Sequence, residues 1–373
     1  MKLLLAPDSF KGSLTAQEVC AHLQDGLSPQ FECISHPLAD GGEGSLAAIA
    51  AHQEAQWIQH TVSGPLPQQQ VTAQYLWIPG SKTAVIEMAQ ASGLILVPPD
   101  KRNAEITTSR GTGELIQAAL TQGAESIQIA IGGSATNDAG LGLLSALGWQ
   151  FLDQEGNPVA SGGQGLSQID QICPPPEPFP VPVTVWCDVT NPLTGKTGAA
   201  WVYGPQKGAD PSMVERLDQG LTHLQQVVER QFGVDLDFPG AGAAGGLAAG
   251  VVWGLNAKPQ SGFQAIAALT GLTAAIQQVD GVITGEGCFD GQSIQGKVVG
   301  EVVKLCRTAQ KPVVLLAGQI LLQEHPDIDA LVSIVDQDCP VSQALANPSQ
   351  SLTQKIPRLN SFWQSWEQEN RRK

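Results

Sequence analysis

The chain has 373 residues, 42% of them hydrophobic, and a formal net charge of −15. Single cores stop growing at roughly 250–300 residues, so two domains are expected, with enough apolar content for a core in each. The acidic balance excludes a nucleic-acid partner, because gripping a phosphate backbone takes clustered Lys and Arg, and the one basic cluster, Arg371-Arg372-Lys373, reads as a solvated helix end.

Taken in chain order, residues 3–6 read as a buried strand and 15–27 as a helix ending near Gly26, with Ser13 or Thr15 as its cap. A second strand over 31–38 and a small-residue helix over 44–53 follow. Residues 57–88 alternate and enclose a Pro-rich turn, as a pair of strands would. Helix and strand rhythm returns at 109–122, 126–131 and 138–147. Residues 149–180 change character: DQEGNP is hairpin-like, and the run to CPPPEPFPVP reads as a long ordered loop or linker. Then come a strand over 181–187, a long helix over 211–232 with Pro in its first turn, a Gly/Ala-rich stretch over 240–254, and a strand over 281–284. A helix over 297–308, strands over 312–317 and 330–335, and a terminal helix near 352–370 complete the pattern. No stretch reaches the ~18 apolar residues of a membrane span. Lys2 precedes too short an apolar run for a secretory leader. The seven cysteines are odd in number and include no C-x-x-C pair, so inert thiols in a reducing cytoplasm are expected.

This rhythm predicts two α/β domains. A doubly wound, Rossmann-like parallel-sheet domain is expected from 1–54, 103–148 and 276–373. An inserted second α/β domain is expected from 55–102 and 149–275, with the active site in the cleft between them. Acidic, glycine-flanked tips recur where apolar runs stop: APDSFKGS at 6–13, PLADGGEGS at 37–45, IGGSATNDAGLG at 131–142, WCDVTNPLTGKTG at 186–198 and VITGEGCFDGQS at 282–293. In open parallel sheets, ligands bind outside the carboxyl ends of the strands. Carboxylates gathered there among small residues suit a divalent metal and a phosphorylated ligand.

Three common signatures fail. Gly195-Lys196-Thr197 resembles the end of a Walker A loop, but position 190 is Thr where that motif needs Gly. The run 240–245 spells G-x-G-x-x-G but follows no clean strand, and its next acid, Asp280, lies far past the ~20 residues expected of a ribose ligand. Close packing through Gly and Ala is the better reading. Protein-kinase motifs are absent, no histidines have metal spacing, and His36 reads as a hydrogen-bonded structural residue.

The motifs APDSFKGSLTA, ADGGEGS, IGGSATNDAGLGLLSALG, CDVTNPLTG, GPQKGA and TGEGCFDGQS, covering 5 to about 317, resemble the bacterial type-1 glycerate kinases. The resemblance implies a two-domain α/β enzyme unrelated to P-loop kinases. It implies ATP-dependent, Mg²⁺-assisted phosphorylation of D-glycerate, mostly to 2-phosphoglycerate, in the cytoplasm. The partners would be small molecules only, with a homo-oligomer left open. The alternatives are a 3-phosphoglycerate-forming enzyme, a kinase of another small hydroxy acid, a nucleotide or sugar-acid sensor, and a nicotinamide-dependent dehydrogenase. The acidic tips argue against the sensor, because an anion sensor needs no collection of carboxylates.

Chemistry suggests roles, since phosphoryl transfer depends mainly on positioning and charge stabilisation. Asp188 would be the base or a metal ligand, and Lys11 a catalytic cation. Asp8, Ser9, Asp40, Gly41, Gly42, Glu43 and Arg110 would bind substrate. Gly132, Gly133, Ser134, Thr136 and Asn137 run from a strand end into a helix start and would hold phosphate through backbone N–H groups and the helix dipole. Asp138 is a candidate cap there. Lys207 and Lys297 would add cations for the nucleotide, and Glu286 and Asp290 carboxylates for Mg²⁺. For each of these residues, a cap, turn or surface ion pair is the structural alternative.

Overall fold

The computed structural model describes residues 1–371 apart from Glu43, Gln295 and Gly296. The chain divides into two compact units. The first comprises Met1–Asp40, Ala47–Gln53 and Phe263–Lys373, and the second Gly41–Leu46 and Glu54–Gly262. The second is therefore inserted, in chain order, within the first.

The first unit is built on a five-stranded sheet in the order Ala330–Ser333, Val313–Ile320, Gly281–Phe289, Lys2–Pro7, Glu32–Ser35, with every neighbouring pair parallel. Leu3, Leu4, Leu5 and Ala6 are wholly enclosed, as expected of a parallel sheet covered on both faces. Leu3, Leu5, Ile283 and Leu316 share one core cluster with Val19, Leu23, Leu359 and Trp363. Helices Ala16–Leu27 and Ile356–Asn370 thus cover that face. Helix Val298–Thr308 packs on the three central strands outside this cluster. Of the two candidate caps for the first helix, Thr15 is used: it forms a capping box with Glu18. His36 is structural as read, buried and bonded to the Thr270 hydroxyl at 3.0 Å. It stacks on His52 at 3.9 Å. Burial, then the neighbouring His52, pulls the His36 pKa down to about 3.

From Lys2–Pro7 the chain steps to Glu32–Ser35 on one side, while Gly281–Phe289 lies on the other. That reversal is a topological switch point, which opens a crevice outside the carboxyl ends of the two central strands.

The second unit carries a six-stranded sheet in the order Lys258–Gln260, Val183–Trp186, Ser126–Ala130, Thr83–Glu87, Gln70–Ile78, Gln56–Ser63. The first four run parallel and the last two antiparallel. The expected domain boundaries need correction here. Residues 103–148 belong to this unit, because Ser126–Ala130 pairs with Thr83–Glu87 and Val183–Trp186. The stretch 57–88 makes three strands, since the turn at 79–82 reverses the chain a second time. The expected linker at 149–180 holds a two-stranded ribbon, Gln150–Leu152 with Gln171–Cys173. A 3₁₀ turn, Gly163–Gln168, then packs on the long helix Pro211–Phe232. That helix starts as expected, with Pro211 at its first position and the Asp210 side chain as its cap.

The G-x-G-x-x-G run is a packing device. A β-carbon at Gly245, whose φ is +70°, would collide with the backbone of Thr136, and one at Gly242 with the Pro192 carbonyl. Among the described residues no helix is long and apolar enough to cross a membrane.

Candidate functional site

In the first unit, the carboxyl ends of the parallel strands open into a cavity of about 360 Å³. Its polar end is lined by Asp8, Lys11, Asp40, Glu286, Asp290 and Lys297. Local folding explains the placement. Asp8 follows the strand Lys2–Pro7 directly, and its Oδ1 accepts the Ser9 N–H at 2.6 Å. Gly281–Phe289 runs further than its apolar start implies, pairing through Phe289 with Ile320, so Glu286 stands within the strand. Lys297 sits at the N-cap of Val298–Thr308. Lys11 pairs with Asp40 at 3.0 Å. Asp290 Oδ1 accepts the Gln292 N–H at 2.8 Å and the Ser293 N–H at 3.2 Å, and these bonds hold its carboxyl below the usual range.

At this polar end Asp8 is buried and Glu286 half-buried, while Lys11 and Lys297 are exposed. Burial, then the nearby Asp40, pushes Asp8 up to about 7. Burial also raises Glu286, whose buried Oε1 has no hydrogen-bond partner. An orphaned acceptor on the half-buried Glu286, near the buried Asp8 carboxyl, fits a cation held by one or two carboxylates with phosphate and water completing the shell, the habit of Mg²⁺. Among the described residues no three His, Cys, Asp or Glu side chains form a ready-made metal cage.

In the second unit, the carboxyl ends of the parallel strands bring three motifs together. Gly132 follows Ser126–Ala130, Asp188 follows Val183–Trp186, and Gly262 follows Lys258–Gln260. The Gly262 N–H lies 3.1 Å from both oxygens of the Asp188 carboxylate, which is exposed. A β-carbon on Gly41 would stand 2.8 Å from the Gly262 Cα, and one on Gly132 would stand 3.0 Å from the Gly42 Cα. The backbones therefore meet without side chains between them. Gly132 and Gly133 are exposed, whereas Ser134 to Gly140 are buried.

That burial corrects the expected phosphate cradle. Thr136 and Asn137 have no exposed surface. Helix Leu141–Ala146 starts later than expected and has only six residues. Its N-terminal groups are already met by Asp138, whose carboxylate accepts the Gly140 N–H at 3.2 Å, the Gly142 N–H at 3.3 Å, and the Ser109 N–H and hydroxyl at 2.9 and 2.8 Å. Asp138 thus ties the turn into the helix, whose N-cap residue is Gly140 rather than Asp138. Lys207 does not reach outward either. It is buried, and its Nζ donates to Ser134 Oγ at 2.8 Å and to the Thr136 carbonyl at 2.6 Å. Burial, opposed by Asp138, lowers its pKa to about 7. Arg110 pairs with Glu114 one helical turn away at 3.0 Å. Glu43 lies outside the described residues.

One part of the cavity went unread in the sequence. Val341, Ala344 and Leu345 line it from the short helix Val341–Ala346. Their i, i+3, i+4 spacing was the available signal. Cys288, which is exposed, also lines the cavity.

Two α/β units carrying acidic loops at the carboxyl edges of parallel strands define an enzyme of the phosphotransferase class. Residues 3–364 match the family model described as the glycerate kinase family. The chain belongs to the glycerate kinase family. It is 41% identical to a protein of Haemophilus influenzae named glycerate kinase, over 97% of this chain and 99% of that one. It is 43% identical to the glycerate 2-kinase of Escherichia coli, over 90% and 91%. The crystal structure of a candidate glycerate kinase 2 from Salmonella typhimurium LT2 superposes with a TM-score of 0.87 at 40% identity, covering 99% of each chain.

Proposed function

We propose that the protein transfers the γ-phosphoryl group of ATP to D-glycerate in the cytoplasm, giving 2-phosphoglycerate. The observation that carries this reading is the first unit's cavity. A buried and a half-buried carboxyl, Asp8 and Glu286, stand there with two lysines at the switch point of a parallel sheet. Asp8 and Glu286 would hold Mg²⁺, with Asp290 beside them. A metal so held would neutralise charge on the phosphoryl oxygens. Lys11 and Lys297 bind phosphate oxygens as point charges, and Ser9 and Asp40 fix the first loop and its lysine.

On the second unit, Asp188 is the base towards the glycerate hydroxyl, oriented by the Gly262 N–H. Gly41, Gly42, Gly132 and Gly133 present backbone to the acid substrate, where side chains would stand in the way. The choice of the 2-hydroxyl is supported by the name of the Escherichia coli relative. A ³¹P NMR spectrum of protein with ATP, Mg²⁺ and D-glycerate tests all of this together. A 2-phosphoglycerate resonance is expected. A 3-phosphoglycerate resonance would overturn the choice of hydroxyl, and no new resonance would overturn the reaction.

A further inference from the structure

The first unit's cavity has a mixed lining. Beside its carboxylates and lysines, its lining includes the apolar residues Ile334, Val335, Val341, Ala344, Leu345 and Pro348. Helix Val341–Ala346 buries none of its residues in the core. Val341 is 45% exposed and Leu345 59% exposed. Apolar residues at i, i+3 and i+4 normally mark the face a helix turns to its core. Here all three line the cavity instead. Isolated surface leucines need no explanation, but an apolar stripe continuous with a cation-bearing, acid-lined pocket does.

Resting on the kinase reading above, we propose that this apolar lining is the nucleoside subsite: the purine ring and ribose of ATP lie against Val341, Ala344 and Leu345, with the triphosphate directed to Lys11 and Lys297. Three observations fit that one occupant. A nucleoside triphosphate is flat and apolar at one end and polyanionic at the other, and the cavity has both characters in one continuous space. Its volume of about 360 Å³ falls in the ~300–1,000 Å³ range of small-molecule pockets. The position, outside the carboxyl ends at a switch point, is where open α/β sheets take nucleotides. In the turn after Gly133, Ser134 to Gly140 are enclosed and Lys207 bonds inward to Ser134. Glycerate, a three-carbon hydroxy acid, has no apolar part that would need such a lining.

Leu345→Asp tests the assignment without touching the core, since Leu345 is exposed. Leu321→Asp is its control, an exposed leucine (60%) outside the cavity lining. The probe is a fluorescent ribose-labelled ATP with Mg²⁺, titrated into both variants and the parent. Dissociation constants about tenfold or more above the parent are expected for Leu345→Asp and unchanged ones for Leu321→Asp. In turnover, the KM for ATP should rise by a similar factor while the KM for glycerate stays put. Photolabelling with 8-azido-ATP and peptide mapping gives an independent readout, and label within residues 334–348 is expected. Equal nucleotide affinity in parent and Leu345→Asp, or label confined to the second unit, would overturn the subsite. A parent that binds nucleotide in this way but does not phosphorylate glycerate would overturn only the choice of acceptor.

Discussion

Asp8 and Asp138 are both buried aspartates near the carboxyl edge of a parallel sheet, one in each unit, and the fold treats them in opposite ways. Asp138 is surrounded by donors: two from Ser109, one from Gly140 and one from Gly142. Its loop is further tied by Lys207, whose ammonium bonds Ser134 and Thr136. Asp8 accepts the adjacent Ser9 N–H but lines a cavity with Asp40, Glu286 and Lys11, and burial, then Asp40, raises its pKa to about 7 against the pull of Lys11. Burial raises the Asp138 carboxyl too, opposed by these hydrogen bonds, and a buried carboxyl with a full donor set is architecture. A buried carboxyl crowded by like charges destabilises the empty fold and is explained by something it binds.

Predictions that would break or sharpen this comparison run from large effects to small. Within the second unit, chemistry is assigned to the exposed rim rather than the buried turn. Asp188→Asn is therefore expected to lower kcat by about 10²–10⁴-fold, the usual worth of a general base, with the melting temperature nearly unchanged. Steady-state kinetics beside a thermal melt checks both halves, and near-normal turnover would remove Asp188 from the reaction. Asp138→Asn should instead unfold more easily, by about 3 kcal/mol, because an amide N–H₂ replaces an acceptor among buried donors. Urea titration reads that loss.

Lys207→Met comes next, at about 2 kcal/mol of lost stability from two abandoned acceptors. A higher KM for ATP at an unchanged melting temperature would show that Lys207 is a phosphate ligand after all. Its depressed pKa adds a pH signature. Between about 7 and 10.5 the unfolded lysine binds more protons than the folded one, so this group makes stability rise with pH across that window. The rise should be absent in the methionine variant. Smallest is Gly132→Ala. Its new methyl would sit 3.0 Å from the Gly42 Cα, and a several-fold rise in the KM for glycerate is expected with little change in stability.

Much of this was legible in the sequence, and the failures share a cause. The strands Lys2–Pro7 and Ser126–Ala130, the Pro-started helix and the acidic tips announce themselves by local pattern. Which tip stays open does not. SATNDAG has the composition of an exposed anion loop, and only close packing of Gly245 and Gly163 against its backbone shows it to be interior. Lys207 looked like a cation for the nucleotide because its burial goes with Gly208 packing against the Arg102 backbone, a contact between segments far apart in the chain. Ser126–Ala130 was placed in the wrong unit because parallel pairing carries no local signature. The helix Val341–Ala346 was missed because six residues make too short a periodic run to register.

The most direct test of the central contrast is a pair of thermal and urea unfolding curves on metal-free Asp8→Asn and Asp138→Asn. A carboxyl whose folded pKa is raised from 3.8 to about 7 contributes stability that is fully present below pH ~4 and is lost as the pH rises through about 7. Asp8→Asn should therefore be more stable than the parent at pH 8, by about 1–3 kcal/mol, and close to it at pH 4, while losing at least about 10²-fold in kcat/KM. Asp138→Asn should be less stable than the parent at pH 8. If both variants are destabilised at pH 8, Asp8 is architecture like Asp138, and the first unit's cavity loses its claim to be the reaction site.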